Sequence, residues 1–234
     1  MAPILAFLVR VFALFWLIVM SLATGLALVP ALFVVRAGWE SDSIVLFGLS
    51  LGLGYLVFGI SFLLFIVLFR HATFFRARAG DYPYVSLYVL RWAMVGSLVG
   101  LAKVLILRHL LGMPALNQFY RLMGARIGSE VVINSCNLFD FDLLDIGDGT
   151  LLGGDCVVIG HVGESGMLRL RRVSIGRGCT IGQSSVVFPG ATMEDGTVLG
   201  ALSLLPKDRT LPAGTRWGGN PLVQIAHGTA REHA

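Results

Sequence analysis

Charge is what this 234-residue chain has least of. Only 14% of its residues are charged, against about 25% in an ordinary soluble domain, so water does not solvate all of it. The shortage is local. From Met1 to Phe69 the charged side chains are Arg10, Arg36, Glu40 and Asp42, whereas beyond Arg121 charges are frequent. That step separates a membrane part from a globular part. Cysteine is scarce too: Cys136, Cys156 and Cys179 are odd in number and lack CxxC spacing, which argues against a disulfide framework and for small buried apolar residues. Of five histidines, His71 and His109 lie in apolar surroundings, His227 and His233 in the tail, and only His161 in the globular part. One imidazole without a His/Cys cluster does not make a zinc site, so no metal is expected. GxxxxGK[ST] is missing. The net charge of +4 is not arranged as an aromatic-interleaved stripe, which excludes nucleic acid as the expected partner.

Long apolar runs are present instead. Val11 to Val35 and Ser43 to Phe69 are uncharged throughout, and about 20 residues suffice to cross the hydrocarbon core. The first run is too long for a signal peptide and lacks a basic leader. GxxxG at Gly48 and Gly52, and Ser21 with Gly25, mark faces where two helices could meet. Arg70, His71, Arg76 and Arg78 follow the second run, and basic loops stay cytoplasmic, so both ends of the pair are expected on that side, as in a bacterial inner-membrane protein. The segment from Pro83 to Met113 is apolar but broken by Arg91, Lys103, Arg108 and His109. It predicts interfacial or re-entrant helices with snorkelling basic side chains; a third span is the alternative, and would put the remainder outside.

A six-residue period dominates the rest. Ile175, Ile181, Val187, Met193, Leu199 and Leu205 are six apart, and Gly176, Gly182 and Gly200 directly follow three of them. Upstream, Ile127, Ile133 and Phe139 keep the spacing, as do Ile146, Leu152 and Val158. Six matches neither the strand period of two nor the helix period of 3.6. It is the mark of a β-helix, each coil pointing the repeated residue into a continuous core, with glycine at corners where a side chain would collide or φ must be positive. The fold class expected is N-terminal transmembrane or interfacial α-helices followed by a parallel β-helix. The domains are 1–119 (spans about 11–35 and 43–69, then helices about 83–119), 120–225 for four to five coils, and a tail over 226–234. Flat outer faces invite self-association.

The run from Ile175 to Pro221, ending in "GALSLLPKD" and "PAGTRWGGNP", resembles the left-handed β-helix of hexapeptide-repeat acyltransferases. An apolar helix pair, then "RLMGARIG", then "DLLDIGDGTLLGGDCVVIGHVGESGMLRLRRVSIG", is similar to the membrane-embedded C-terminal units of polylysine-synthetase-type nonribosomal peptide synthetases. The resemblance implies transfer of an acyl or aminoacyl group from a thioester, either acyl-CoA or a phosphopantetheinyl carrier protein, to an amine or hydroxyl. It also implies a homotrimer. Those synthetases carry adenylation and carrier domains and several units in tandem; this chain holds one unit, so an adenylation and carrier protein would be a separate partner.

Acyl transfer needs a base for the nucleophile's proton. His161, in "VVIGHVGESG", stands where the period breaks between Val158 and Ile175 and a loop can leave the coil. An imidazole there is a common choice of general base, and it matches the family's histidine; otherwise it is a polar residue in a solvated turn. For the group that orients it, Asp142 matches the family's acidic position and Glu164 lies three residues on, while Asp145 and Asp148 read as turn residues. The resemblance further implies Ala201 and Ser203 beside a pantetheine arm, and Lys207 and Arg209 near its phosphates. The Trp217–Pro221 turn closes the coil. A non-catalytic reading stands beside the enzymatic one: a trimerising β-helix that holds partner synthetase subunits at the membrane. O-acetylation of a lipid or surface sugar shares the chemistry and differs only in acceptor.

Overall fold

The computed structural model describes residues 2–225; the tail expected over 226–234, with His227 and His233, lies outside the described residues. Two compact units result. One gathers Met1–Phe74 and Ala93–Ile106, the other Phe75–Trp92 and Leu107–Ala234.

In the first unit, helix α1 (Ala2–Trp39) and helix α2 (Ile44–Ala72) form a hairpin, and Ser43 caps α2 through its Oγ on the Leu46 N–H. The expected spans fall inside these helices. The small residues that bring them together are not the expected ones. A Cβ on Gly25, Gly48 or Gly52 would meet no atom within 4 Å, whereas one on Gly54 would lie 2.9 Å from Val35 Cγ2. Ala23, Ala27 and Ala31, one turn apart, are the buried stripe on α1, which is how backbones approach closely in an apolar pair. Trp16 donates its indole N–H to Ser97 Oγ at 2.8 Å, on helix α3 (Leu87–Leu105). Within the segment from Pro83 to Met113, where interfacial or re-entrant helices are expected, Leu87–Leu105 is one continuous helix of 19 residues. Leu14–Trp39, Ile44–Ala72 and Leu87–Leu105 are each long and apolar enough to cross a membrane.

The second unit is a three-faced parallel β-helix. One face stacks 126–127, 144–146, 173–175, 192–193 and 210–211; a second carries 132–133, 151–152, 180–181, 198–199 and 216–218; the third carries 157–158, 186–187 and 204–205. All neighbours within these stacks run parallel. The fold class expected from the hexapeptide period is the one found. Its repeated positions are the core: Leu152, Val158, Ile181, Val187, Leu199 and Leu205 are each 0% exposed. One assignment is corrected. Leu138, not Phe139, points inward, being fully buried and bridged to Val158; that coil is one residue shorter before the corner, and Phe139 turns outward. The glycines after the repeated aliphatics serve close approach rather than positive φ. A Cβ on Gly176 would sit 2.7 Å from the Asp195 backbone nitrogen, and one on Gly182 would strike the Ala201 backbone. Helix α4 (Pro114–Leu122) closes the first coil, burying Leu116, Phe119 and Tyr120. At the other end Val223–Gln224 folds back antiparallel on Arg216–Gly218.

The regular winding is interrupted once, after Val158. His161–Glu164 and Met167–Leu170 form an antiparallel hairpin around Ser165 and Gly166, whose φ values of 50° and 75° suit a tight two-residue turn. A third strand, Gly80–Pro83, pairs with Met167–Leu170. The stretch 75–92 therefore belongs to the β-helix unit although it precedes it by more than thirty residues.

Candidate active site

His161 is the first residue of that hairpin, at the point where the chain leaves the coil. Its Nδ1 lies 2.6 Å from Asp140 Oδ2. Asp140 occupies the left-handed region, φ 56° and ψ 49°, just ahead of a short 3₁₀ turn over Phe141–Leu143; aspartate tolerates that conformation better than most residues. The turn stacks Phe141 on Tyr120 and buries Leu143, and so aims Asp140 at the hairpin base. The Asp140 side chain is 1% exposed and that of His161 24%. Two further donors converge on the carboxylate. Trp92 Nε1–H reaches Oδ1 at 2.7 Å and the Gly160 backbone N–H reaches Oδ2 at 3.0 Å. An indole and a backbone amide can only donate, so the carboxylate accepts from all sides and takes the Nδ1–H of His161. The tautomer follows: the lone pair of the neutral ring is on Nε2, which makes no hydrogen bond among the described residues. Trp92 and Phe139 meet the imidazole edge-on, with centroids 4.8 Å and 5.9 Å away, and hold its plane. This is an oriented imidazole with one nitrogen anchored and the other open, the arrangement a proton acceptor needs.

Asp142 is elsewhere. Its Oδ2 accepts the Ala77 backbone N–H at 2.8 Å, tying the 75–92 segment to the coil, and the carboxylate on His161 is Asp140. The physical reason is the 3₁₀ turn, across which residues two apart point in different directions. Glu164, the other candidate, lies at the far end of the hairpin strand and pairs with Lys207 and, at 3.9 Å, with Arg169. The Lys207 ammonium on it holds the Glu164 carboxyl below the usual carboxylate range. Arg171, 2.7 Å from Asp81, does the same for Asp81 on the added strand. Trp92, 48 residues before Asp140, was not foreseen; no spacing rule connects a helix start to a coil corner.

The remaining predicted positions lie on the last coils. Ala201 is exposed, while Ser203 is buried, its N–H donating to Ser185 Oγ and its carbonyl accepting from Val186. Arg209 stacks on Trp217, its guanidinium carbon 5.3 Å from the ring centre. Lys207 and Arg209 are exposed, two residues apart. Among the described residues there is no group of three or more His, Cys, Asp or Glu that could hold a metal ion. All three cysteines are free and buried, and burial pushes the Cys156 thiol up to about 12.

No family model matches the chain. Over 130 residues it is 31% identical to "Putative colanic acid biosynthesis acetyltransferase WcaF" of Escherichia coli, covering 45% of this chain and 70% of that protein. The chain belongs to the hexapeptide-repeat acyltransferase family. A second hexapeptide-repeat relative is "Putative acetyltransferase YvoF" of Bacillus subtilis, 32% identical over 79 residues, 34% of this chain and 45% of that one. A longer match, 27% identical over 181 residues, is to the Delta-poly-L-ornithine synthetase of Acinetobacter baumannii; it covers 76% of this chain and 13% of the synthetase. The chain thus spans under half the length of these last two relatives. Among solved structures, a maltose O-acetyltransferase from Clostridium difficile aligns with a TM-score of 0.48 at 17% identity, over 63% of this chain and 91% of that one.

Proposed function

We propose that this hexapeptide-repeat protein is a membrane-anchored acyltransferase with His161 as general base. The observation that carries the reading is the Asp140–His161 pair with Nε2 left open beside a solvent-reachable ring. An amine or hydroxyl of the acceptor gives its proton to Nε2 as its nitrogen or oxygen attacks the thioester carbonyl. The tetrahedral adduct collapses, the C–S bond breaks, and the proton passes from the imidazolium to the departing thiolate. Asp140 keeps Nδ1 protonated and stabilises the transient positive charge, the role a buried carboxylate plays behind a catalytic imidazole.

The donor is a thioester on CoA or on a phosphopantetheinyl carrier protein. Lys207 and Arg209 suit its phosphates, being exposed cations on one coil, and Ala201 and Ser203 would flank the arm. Glu164 already sits on Lys207, so an anionic donor must compete with it. The likeness to the synthetase supports an aminoacyl donor and a separate adenylation and carrier protein as partner; the flat coil faces support a trimer; α1 and α2 support anchorage with the β-helix on the cytoplasmic side of a bacterial inner membrane. His161→Ala tests the reading. Thiol release from acyl-CoA or loaded carrier, measured with amine and alcohol acceptors, falls about 10²–10⁴-fold while the protein stays folded. Undiminished transfer by that variant would overturn His161 as the base, and no acceptor-dependent thiol release by the native protein while a carrier protein co-purifies would favour the scaffold reading.

A further inference from the structure

The three-stranded sheet beside the site has two unlike faces. In a strand alternate residues point to the same side, and the register puts Asp81, Glu164 and Arg169 on one face, with Arg171 next along. That face is charged and internally paired. Arg171 lies 2.7 Å from Asp81, Arg169 lies 3.9 Å from both Asp81 and Glu164, and Lys207 closes the ladder on Glu164. His161, Gly163, Leu168, Leu170 and Tyr82 share the opposite face, where both leucines are buried. Aromatic rings stand on this second face: Trp92 at His161, Tyr84 at Gly163, and Tyr82 stacked on Tyr88 with centroids 3.7 Å apart.

Of the three phenols on that side, two are engaged. Tyr82 Oη donates to the Arg78 carbonyl at 3.2 Å, and Tyr88 Oη takes the Arg78 N–H at 2.7 Å. The Tyr84 hydroxyl makes no hydrogen bond among the described residues, although its residue is well fixed, the Tyr84 N–H donating to the Gly166 carbonyl at 3.1 Å. Tyr84 is 47% exposed. Its ring arrives tip-first: a Cβ on Gly163 would collide with Oη and lie 3.1 Å from Cζ. The φ of Gly163 is not positive, so glycine supplies room there rather than conformation, and the room is taken by the hydroxyl. His161 is two residues back on the same face, about 7 Å along the strand. A phenol O–H donates and accepts, and this one has only water to bond until a ligand replaces it. We propose that Tyr84 is an acceptor-binding residue, its hydroxyl holding a second polar group of the acceptor while His161 Nε2 takes the proton of the nucleophile. The acceptor class selected carries two hydrogen-bonding groups a few bonds apart, as an amino alcohol or a polyol does, over a plain alkyl amine or alcohol. The proposal rests on the general-base reading of His161.

Tyr84→Phe in the full chain removes one oxygen and leaves the ring in place. With acyl-CoA as donor and 3-amino-1-propanol or glycerol as acceptor, the acceptor KM should rise about 3–10-fold, the size of one lost hydrogen bond. The kcat and the KM for acyl-CoA should stay within twofold, the pattern of lost binding rather than lost transition-state stabilisation. Butylamine and 1-propanol, which lack the second polar group, should be indifferent to the change. An unchanged KM for both bifunctional acceptors, an equal loss for the monofunctional ones, or no turnover of either bifunctional acceptor overturns the proposal. Gly163→Ala supplies a second measurement. It displaces the phenol and should raise the acceptor KM as Tyr84→Phe does, yet add less than twofold in the Tyr84→Phe background, because the two changes remove one contact. Fully additive losses would mean that Gly163 serves only the hairpin, and would overturn the pairing. His161→Ala acts on kcat instead, so failure of the base and failure of Tyr84 are read on different constants.

Discussion

The coils and the hairpin that interrupts them follow opposite rules. In the coils every sixth residue is buried and interchangeable in kind: isoleucine, valine, methionine and leucine occupy equivalent places in one core. In the interruption nothing repeats. An imidazole, an indole from a preceding helix and a glycine amide converge on the carboxylate of one left-handed aspartate. The regular part supplies rigidity, since its strands are held on both sides by neighbours; the irregular part supplies direction. A reactive imidazole needs both, because a base displaced by an ångström loses much of its advantage.

Substitutions can break this contrast. The largest effect is expected at Asp140. Asp140→Asn keeps the shape but can present an amide N–H to Nδ1 and reverse the tautomer, so turnover falls by about 10²–10⁴-fold, read as kcat at saturating acceptor. Asp142→Asn should leave kcat within a few fold and show its effect in stability, because the carboxylate anchors Ala77 rather than the base. In the coils, Leu152→Ala removes a fully buried side chain and should cost about 2–5 kcal/mol, measured by denaturant unfolding, with kcat of the folded fraction unchanged. Gly182→Ala pushes a methyl into the coil above and should cost about 1–3 kcal/mol by the same measurement. The smallest effect concerns pH. The Cys156 thiol is pushed up to about 12 from 9.0, first by burial. A raised value means that the neutral form is favoured in the fold, so stability is complete below about pH 9 and is lost as pH rises towards 12. The melting temperature should fall over that window, and less so in Cys156→Ala.

The β-helix was legible because its constraint is local and repeated: each aliphatic announces its own position, and only at Phe139 did the count mislead, where a shortened corner moved the inward place to Leu138. The paired long helices were legible from charge alone, but not their contact, since Gly48 and Gly52 form a motif that small residues also make by composition while Ala23, Ala27 and Ala31 do the packing. His161 was legible as the single histidine at a break in register. Its partner was not. In "FDFD" two aspartates are equivalent until a 3₁₀ turn fixes which one faces inward, and that turn depends on Phe141 finding Tyr120. Trp92 was invisible for a simpler reason, being joined to the site by folding and by nothing in the chain between.

The added strand has a practical consequence. A fragment begun at residue 120, where composition suggests a clean cut, would keep the imidazole and its carboxylate yet lose the indole, the third strand and the amide that Asp142 holds. Any version of the β-helix meant to keep this site whole must carry residues 75–92 with it, spliced on or supplied as a peptide.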